Sequence, residues 1–318
     1  MSSSSTKGGE FASFFRAVRR LKPLWQGVKS AAEEMDRYTQ GDYGDRVGTG
    51  IPKLDRRLRG GMRAGEMLLI GAPTGGGKTS FVAQVAVSAA AKGRPVMLVS
   101  PEMSIETLAE REIIRRAGRK LWDRNPWTAH GPWKDSCIEA HTVAASEMLD
   151  EKLPLLVLDQ SDVTMIEIEE TAREIPGLQL LVIDYAQQVA GDSNDSPRYL
   201  QVGDVGTRAV ALAQALNIPV IVASQVNVTK DGSKRGYSFR ETAILEHKAH
   251  AVLILDVEWN DDGEQRTVSK ATIVCTKHRS ASAFRLQVHY DPATYTVGDL
   301  EDDTRPSTYA LLPPAMPR

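Results

Sequence analysis

The chain has 318 residues, of which 42% are hydrophobic, 25% charged and 6% aromatic, a globular composition that excludes a wholly disordered chain and a fibre. The 39 Lys and Arg against 41 Asp and Glu give a formal charge of -2, so no global field attracts nucleic acid and any such contact must come from local basic patches. Cys137 and Cys275 are too few for a disulfide framework or a zinc site of their own, no apolar run has the length of a membrane span, and the polar start MSSSSTKGGE lacks the apolar stretch of a signal peptide, so a soluble, cytoplasmic protein in a reducing compartment, with no membrane partner, is expected.

Residues 1–9 are rich in Ser and Gly and read as a flexible tail. Phe11, Phe14, Phe15, Val18 and Leu21 recur at helical spacing and form one apolar face. Pro23 interrupts it, and Leu24, Val28, Ala31, Met35 and Tyr38 suit a second short helix. Arg16, Arg19, Arg20, Lys22 and Lys29 run between them. Two readings stand: helices packed on their own core, or an arm that docks on a neighbouring subunit. Residues 39–50 read as a linker.

From residue 51 short apolar runs alternate with helical segments. Residues 67–71, 95–100, 153–159, 178–184, 218–224 and 250–256 read as strands, apolar on both faces, as a parallel sheet covered on both sides requires. Residues 78–91, 104–118, 135–151, 164–175 and 198–217 read as helices between them, which makes an α/β domain. After 256 a polar turn at Asp261–Gly263 is followed by KATIVCTK and FRLQVHY, which read as antiparallel edge strands. The stretch from Gly298 is acidic, then Pro-rich, and is expected to be loose. There is no internal repeat.

APTGGGKT at Ala72–Thr79 fits a relaxed phosphate-loop pattern, with Ala72 in the place of the usual first Gly. A strand leads in and a helix leads out. Gly75, Gly76 and Gly77 let backbone N–H groups turn around phosphates, with Pro73, Thr74 and Ser80 completing the loop. Lys78 reaches the β- and γ-phosphates, and Thr79 offers a hydroxyl to Mg²⁺. The helix that starts here adds its positive end. A second metal-holding group must be a carboxylate at the carboxyl edge of the sheet. Asp184 and Asp159 each end an apolar strand, and both qualify by position. Glu102, directly after the strand at 95–100, is either a base that orients an attacking water or an acid that complements a helix dipole.

At this point the sequence resembles a family. From about Gly48 to Tyr295 it is similar to the RecA-like motor domain of DnaB-type replicative helicases, superfamily 4. The similarity is a series in order: GIPKLDRRLRGGMRAGEMLLIGAPTGGGKT with the family's phosphate-loop region, VSPEM with SLEM, LLVIDYAQ with IDYLQ, IPVIVASQVN with PVIALSQLNR, RETAILEHKAHAVLIL with RESGAIEQDADVVLFI, and TKHRS with KQRNG. The resemblance implies a RecA-like fold, ATP and Mg²⁺ as cofactors, and roles for single residues. Glu102 becomes the water-orienting base, and Asp184 rather than Asp159 the Mg²⁺ carboxylate. Gln225 becomes the γ-phosphate sensor. Arg279, with Lys277 beside it, becomes an arginine finger that reaches the ATP of an adjacent subunit. The family forms hexameric rings with single-stranded DNA through the centre and moves 5′ to 3′.

The resemblance divides the chain into a tail and helical arm (1–47), a motor domain (48–297) and a C-terminal tail (298–318). The arm matches the family's linker element that braces neighbouring subunits. DNA contacts are expected from 227–238, which carries Lys230, Lys234 and Arg235 against Asp231, and from Arg240 and Glu241. The segment GDSNDSPRYL is more acidic and carries only Arg198. Four features depart from the family. Only about fifty residues precede the motor, so the primase-contacting domain, and with it primase coupling, is not expected. The family's DAD is Lys248-Ala249-His250, which inverts a local charge, and Gln188 stands where an apolar residue is usual. Ala243 also replaces a Gly beside the expected phosphate contact. The expected function is an ATP-dependent ring helicase of DNA replication, its partners single-stranded DNA, copies of itself, and a loader or other replication protein. The competing expectations are a non-unwinding RecA-like filament or scaffold ATPase and a nucleotide-binding regulator.

Overall fold

The computed structural model describes residues 28, 31–33, 35–37, 40, 44–118, 132–189, 198–231, 234–239, 243–261 and 266–300. The chain divides into two compact units, 1–45 and 46–318. In the first, the described residues from Val28 to Arg37 are helical and exposed, and Gln40 bonds back to Asp36. The apolar positions from Phe11 to Leu24 lie outside the described residues.

The second unit is built on a nine-stranded sheet. Its elements in chain order are α1 (Pro52–Arg57), β1 (Met67–Ala72), α2 (Lys78–Ala90), β2 (Val96–Val99), α3 (Ile105–Ala117), α4 (Pro132–Glu151), β3 (Leu155–Leu158), α5 (Met165–Glu174), β4 (Leu180–Ile183), a 3₁₀ turn (Ala186–Gln188), α6 (Arg198–Leu216), β5 (Val220–Gln225), β6 (Asn227–Asp231), β7 (Lys234–Ser238), α7 (Ala243–Lys248), β8 (Ala251–Asp261), β9 (Arg266–His278), β10 (Phe284–Asp291) and β11 (Thr296–Asp299). The spatial order is β11-β10-β9-β8-β1-β5-β4-β2-β3, with β6 and β7 a separate hairpin. β8, β1, β5, β4, β2 and β3 run parallel; β9, β10 and β11 extend the sheet antiparallel. The expected α/β sheet with antiparallel edge strands is present.

Side chains alternate across each strand, so the sheet feeds two cores. Leu68, Ile70 and Ala72 pack with α2 and the antiparallel strands, whereas Met67 and Leu69 pack with α5, α6 and α7 on the other face. Every residue of β1, β2 and β4 is buried, as their unbroken apolar runs require. β3 differs. It is the outer edge strand, and Leu156 is 51% exposed. An apolar run alone does not tell an edge strand from a central one.

Other differences have local causes. The expected linker ends early: Val47 bridges to Met62, and Thr49 is fully buried. The Asp55 carboxylate accepts from the Thr49 N–H and hydroxyl, both at 2.6 Å, and from the Gly50 N–H, so a six-residue helix holds the lead-in against the core. Segment 227–238, to which the periodicity assigns no strand, forms a hairpin paired from Asn227↔Ser238 to Asp231↔Lys234. β11 runs through Gly298 to Asp299, where the carboxylate accepts from the Lys53 N–H, so the motor extends past 297. Residues 301–318 lie outside the described residues.

Candidate nucleotide site and a second basic cluster

The carboxyl ends of β1, β5, β4 and β2 lie side by side, and each delivers one expected residue. β1 leads into the loop Pro73–Gly77. Gly75 and Gly77 adopt φ of +70° and +83°, a region that side chains with a Cβ avoid. A Cβ on Gly77 would fall 2.6 Å from the Tyr290 ring, so the loop is closely backed as well as turned. No side chain caps α2, which leaves its first N–H groups open to an anion.

Lys78, at the start of α2, lies 3.6 Å from Asp184 Oδ1 and 3.2 Å from the centre of the Tyr185 ring. Asp184 follows β4, with its N–H bonded to Val99 O of β2. It is 3% exposed, and its Oδ1 is buried without a hydrogen-bond partner. Burial pushes the Asp184 carboxyl up, against the pull of Lys78 and the Thr79 hydroxyl, and pushes the Lys78 ammonium down, against Asp184 and Glu102. In both groups burial outweighs the attraction of the other, so the charged pair is only partly compensated. A buried carboxylate oxygen with no hydrogen bond and only the Lys78 ammonium at 3.6 Å, beside a threonine hydroxyl, fits a hydrated Mg²⁺ bound with nucleotide phosphates. Among the described residues no group of three or more His, Cys, Asp or Glu could hold a metal by itself.

Glu102 is exposed and lies within electrostatic reach of Lys78 and Asp184. Asp159 is elsewhere employed: its Oδ2 accepts from the Ile105 N–H at 2.9 Å and caps α3. Gln225, the last residue of β5, donates from Nε2 to the Thr74 hydroxyl at 2.6 Å, so it touches the phosphate loop. Val226 and Phe239, which flank the hairpin, pack on Gly71, where a Cβ would meet both. The sequence reading missed the aromatic supports Tyr185 and Tyr290. The only signal for Tyr185 is its place after Asp184, and Tyr290 comes from a strand more than two hundred residues away.

Lys277 and Arg279 are not at this edge. β9 runs antiparallel to β8, which places its end beside the start of β8. The His250 N–H donates to Met67 O at the start of β1, and the Arg279 N–H donates to His250 O at 2.9 Å. Lys277 Nζ reaches the carbonyls of Glu246 and His247 at 2.7 and 2.8 Å, and Arg279 Nη2 reaches those of His247 and Lys248 at 3.4 and 3.3 Å, all near the C-terminus of α7. At a rise of about 3.3 Å per residue, β1 alone separates this cluster from the phosphate loop by about 17 Å. Arg279 is exposed.

On the hairpin, Lys230 pairs with Arg235 and Lys234 with Asp231, next to the turn. Arg235 is differently placed from the expectation of a DNA contact. Its Nη1 lies 3.0 Å from Asp256 and 3.1 Å from Glu258, and Tyr237 donates to Asp256 at 2.7 Å. Asp256 is 3% exposed. The Tyr237 hydroxyl is pushed up to about 12 by burial and by this carboxylate. These contacts clasp the hairpin to β8. Arg240 and Glu241 lie outside the described residues.

The family model for the DnaB-like helicase C terminal domain matches residues 46–298. The chain belongs to this family. Similar relatives are the replicative DNA helicases DnaB of Haemophilus influenzae (26% identity over 265 residues, 77% of this chain and 53% of the relative), Leifsonia xyli (26% over 290, 86% and 60%) and Treponema pallidum (28% over 229, 70% and 51%). The chain thus spans little more than half the length of the DnaB relatives it matches. Among solved structures, a separately solved ATPase domain superposes with a TM-score of 0.71 at 20% identity, covering 88% of this chain and all of that one. A DnaB-like replicative helicase studied with primase gives 0.73 at 20%, covering 88% and 68%. The RadB recombinase gives 0.51 at 18%, covering 80% and 100%. At these identities the superpositions establish the fold alone, a RecA-like sheet. Among the described residues no helix is long and apolar enough to cross a membrane.

Proposed function

We propose that this chain is an ATP-driven DNA helicase motor that assembles into a ring, six copies by analogy with its family, and moves 5′ to 3′ on single-stranded DNA during replication. The observation that carries the reading is the separation of the two basic groups. Lys78 sits at one edge of the sheet and Arg279 at the other, too far apart to serve one ATP within one copy. Head-to-tail contact between copies brings an Arg279 to a neighbour's phosphate loop, and such contacts close into rings when the rotation permits.

Within the composite site each residue has a task. The loop N–H groups and Lys78 bind the phosphates, and Thr79 and Asp184 hold Mg²⁺. Bound Mg²⁺ supplies charge neutralisation across the phosphate oxygens. Glu102 orients the attacking water. The Arg279 fork from the next copy, with Lys277, stabilises the charge that spreads over the transferring group. Gln225 contacts the loop and opens into the β6–β7 hairpin, so loss of the γ-phosphate has a short path to Lys230 and Lys234. Those two lysines are the proposed DNA contacts. We assign Arg235 to the clasp instead, and keep Arg240 and Glu241 as proposed contacts beside the hairpin. A loader or other replication protein is a proposed partner.

The test is strand displacement on a forked DNA with a 5′ tail, with ATP. Wild type should unwind it, and Lys78→Ala and Glu102→Gln should not. Strong ATPase without unwinding would instead support a scaffold or filament ATPase. For the hairpin, Lys234→Ala should lower the salt slope of single-strand binding by about 0.7. An unchanged slope rejects that contact.

A further inference from the structure

We propose that His250 is a positioning residue for Arg279, a neutral imidazole that fastens the finger-bearing turn to the start of the phosphate-loop strand. The inference rests on the reading of Arg279 as a finger acting in trans. Three hydrogen bonds converge on this one residue. Its N–H donates to Met67 O at 2.8 Å, its carbonyl accepts from the Arg279 N–H at 2.9 Å, and its ring Nδ1 accepts from the Met67 N–H at 3.2 Å. Met67 is fully buried, so its N–H has no water to turn to if the ring withdraws. The last of these bonds exists only while Nδ1 is unprotonated, with the ring proton on Nε2. Protonation would set a donor against a donor.

The surroundings oppose that proton. Lys277 and Arg279 face the ring from β9 and the turn after it, and together with burial they hold the imidazole below its ordinary value of 6.5, burial being the largest influence. His278 and Glu66 line the same crevice of about 20 Å³, and Lys248 lies two residues back at the end of α7. Glu66 is the acid of that crevice, and its pull is felt by His278. The sign follows. A folded value below the unfolded one means that the seat is intact near neutrality and is lost only as pH falls through the lowered folded value, on the acid side of 6.5. His250 is half-buried, so the proton has access. When it arrives, the Met67 bond breaks and a third positive charge joins Lys277 and Arg279, which frees the turn that aims the finger.

The test is steady-state ATPase of the assembled full chain from pH 5.5 to 8, for wild type, His250→Asn, His250→Phe and Arg279→Ala, with oligomer mass and thermal unfolding measured in parallel. An Asn amide oxygen accepts the Met67 N–H and does not titrate. His250→Asn should therefore follow wild type at pH 8 and retain several-fold more activity at pH 5.5. His250→Phe should lose about tenfold or more at every pH, the scale expected when a reacting group is displaced by about an ångström. Acid limbs from other groups persist in both wild type and the Asn variant, so their difference isolates His250. If Arg279→Ala leaves hydrolysis intact, the trans-finger reading fails. If Arg279→Ala abolishes hydrolysis but the Asn and wild-type pH profiles coincide, His250 is not the positioning residue. Should the Phe variant fail to assemble, the Asn comparison alone decides.

Discussion

Lys78 and Asp184 form a loose ion pair at 3.6 Å beside Thr79, and the pair is poised rather than satisfied. The buried Asp184 Oδ1 has no hydrogen-bond partner, and Lys78 rests on the Tyr185 ring. Binding of Mg²⁺ with ATP relieves both, so stability should rise with saturating nucleotide. At a hundred times the dissociation constant the gain is about 2.7 kcal/mol, readable as a shift in the unfolding midpoint. Asp184→Asn should abolish the Mg²⁺-dependent part of it. Glu102→Gln should leave binding in place and slow hydrolysis about 10²- to 10⁴-fold, the range for loss of a general base. Most of this site was legible in the sequence because its members sit at strand ends, where chain position fixes spatial position. Asp159 satisfied the same rule; position alone did not separate the two, the family resemblance favoured Asp184, and the bond of Asp159 to Ile105 gives it another task. Tyr290 was not legible at all, since its place behind Gly77 depends on the packing of β10 across the sheet.

The hairpin is the element whose behaviour the structure redefines. An isolated two-stranded ribbon is marginal in water, and β6–β7 is held by Arg235, Tyr237 and the buried Asp256. Asp256→Ala should cost about 2–4 kcal/mol, because it leaves a mostly buried guanidinium with only the half-exposed Glu258 as an ionic partner. Tyr237→Phe should cost about 1 kcal/mol. Hydrogen exchange across Val228 and Tyr237 should show the hairpin opening first in both variants. Exchange that accelerates equally throughout the sheet would mean that the clasp is part of the global core and not a local fastening. The parallel strands were readable because central strands carry continuous apolar runs. The hairpin was not, because its residues are polar; the Gly232-Ser233 pair between two strand-like halves was its one signal. α1 was equally hidden. It is six residues long, and its reason for existing is the distant grip of Asp55 on Thr49 and Gly50.

For the assembly, the decisive feature is that the two halves of the proposed site lie on opposite edges of one sheet. Lys78→Ala and Arg279→Ala copies should each be inactive alone. Mixed in equal parts they should recover about a quarter of wild-type ATPase, because a random ring pairs a good loop with a good finger at that frequency. No recovery in rings shown to contain both variants would place the finger in its own subunit. Removal of residues 1–40 should weaken assembly if the arm braces a neighbour, and an unchanged mass by light scattering would reject that role. The split site also makes chemistry a gauge of shape. A closed assembly has as many complete sites as subunits, whereas an open spiral always has one fewer, with a loop unattended at one end and a finger unused at the other. For six copies the first rapid burst of phosphate would fall short by about one-sixth in the open form. Counting phosphates released in one fast turnover would therefore report whether the circle is shut, and the shortfall would vanish at the moment a strand is enclosed.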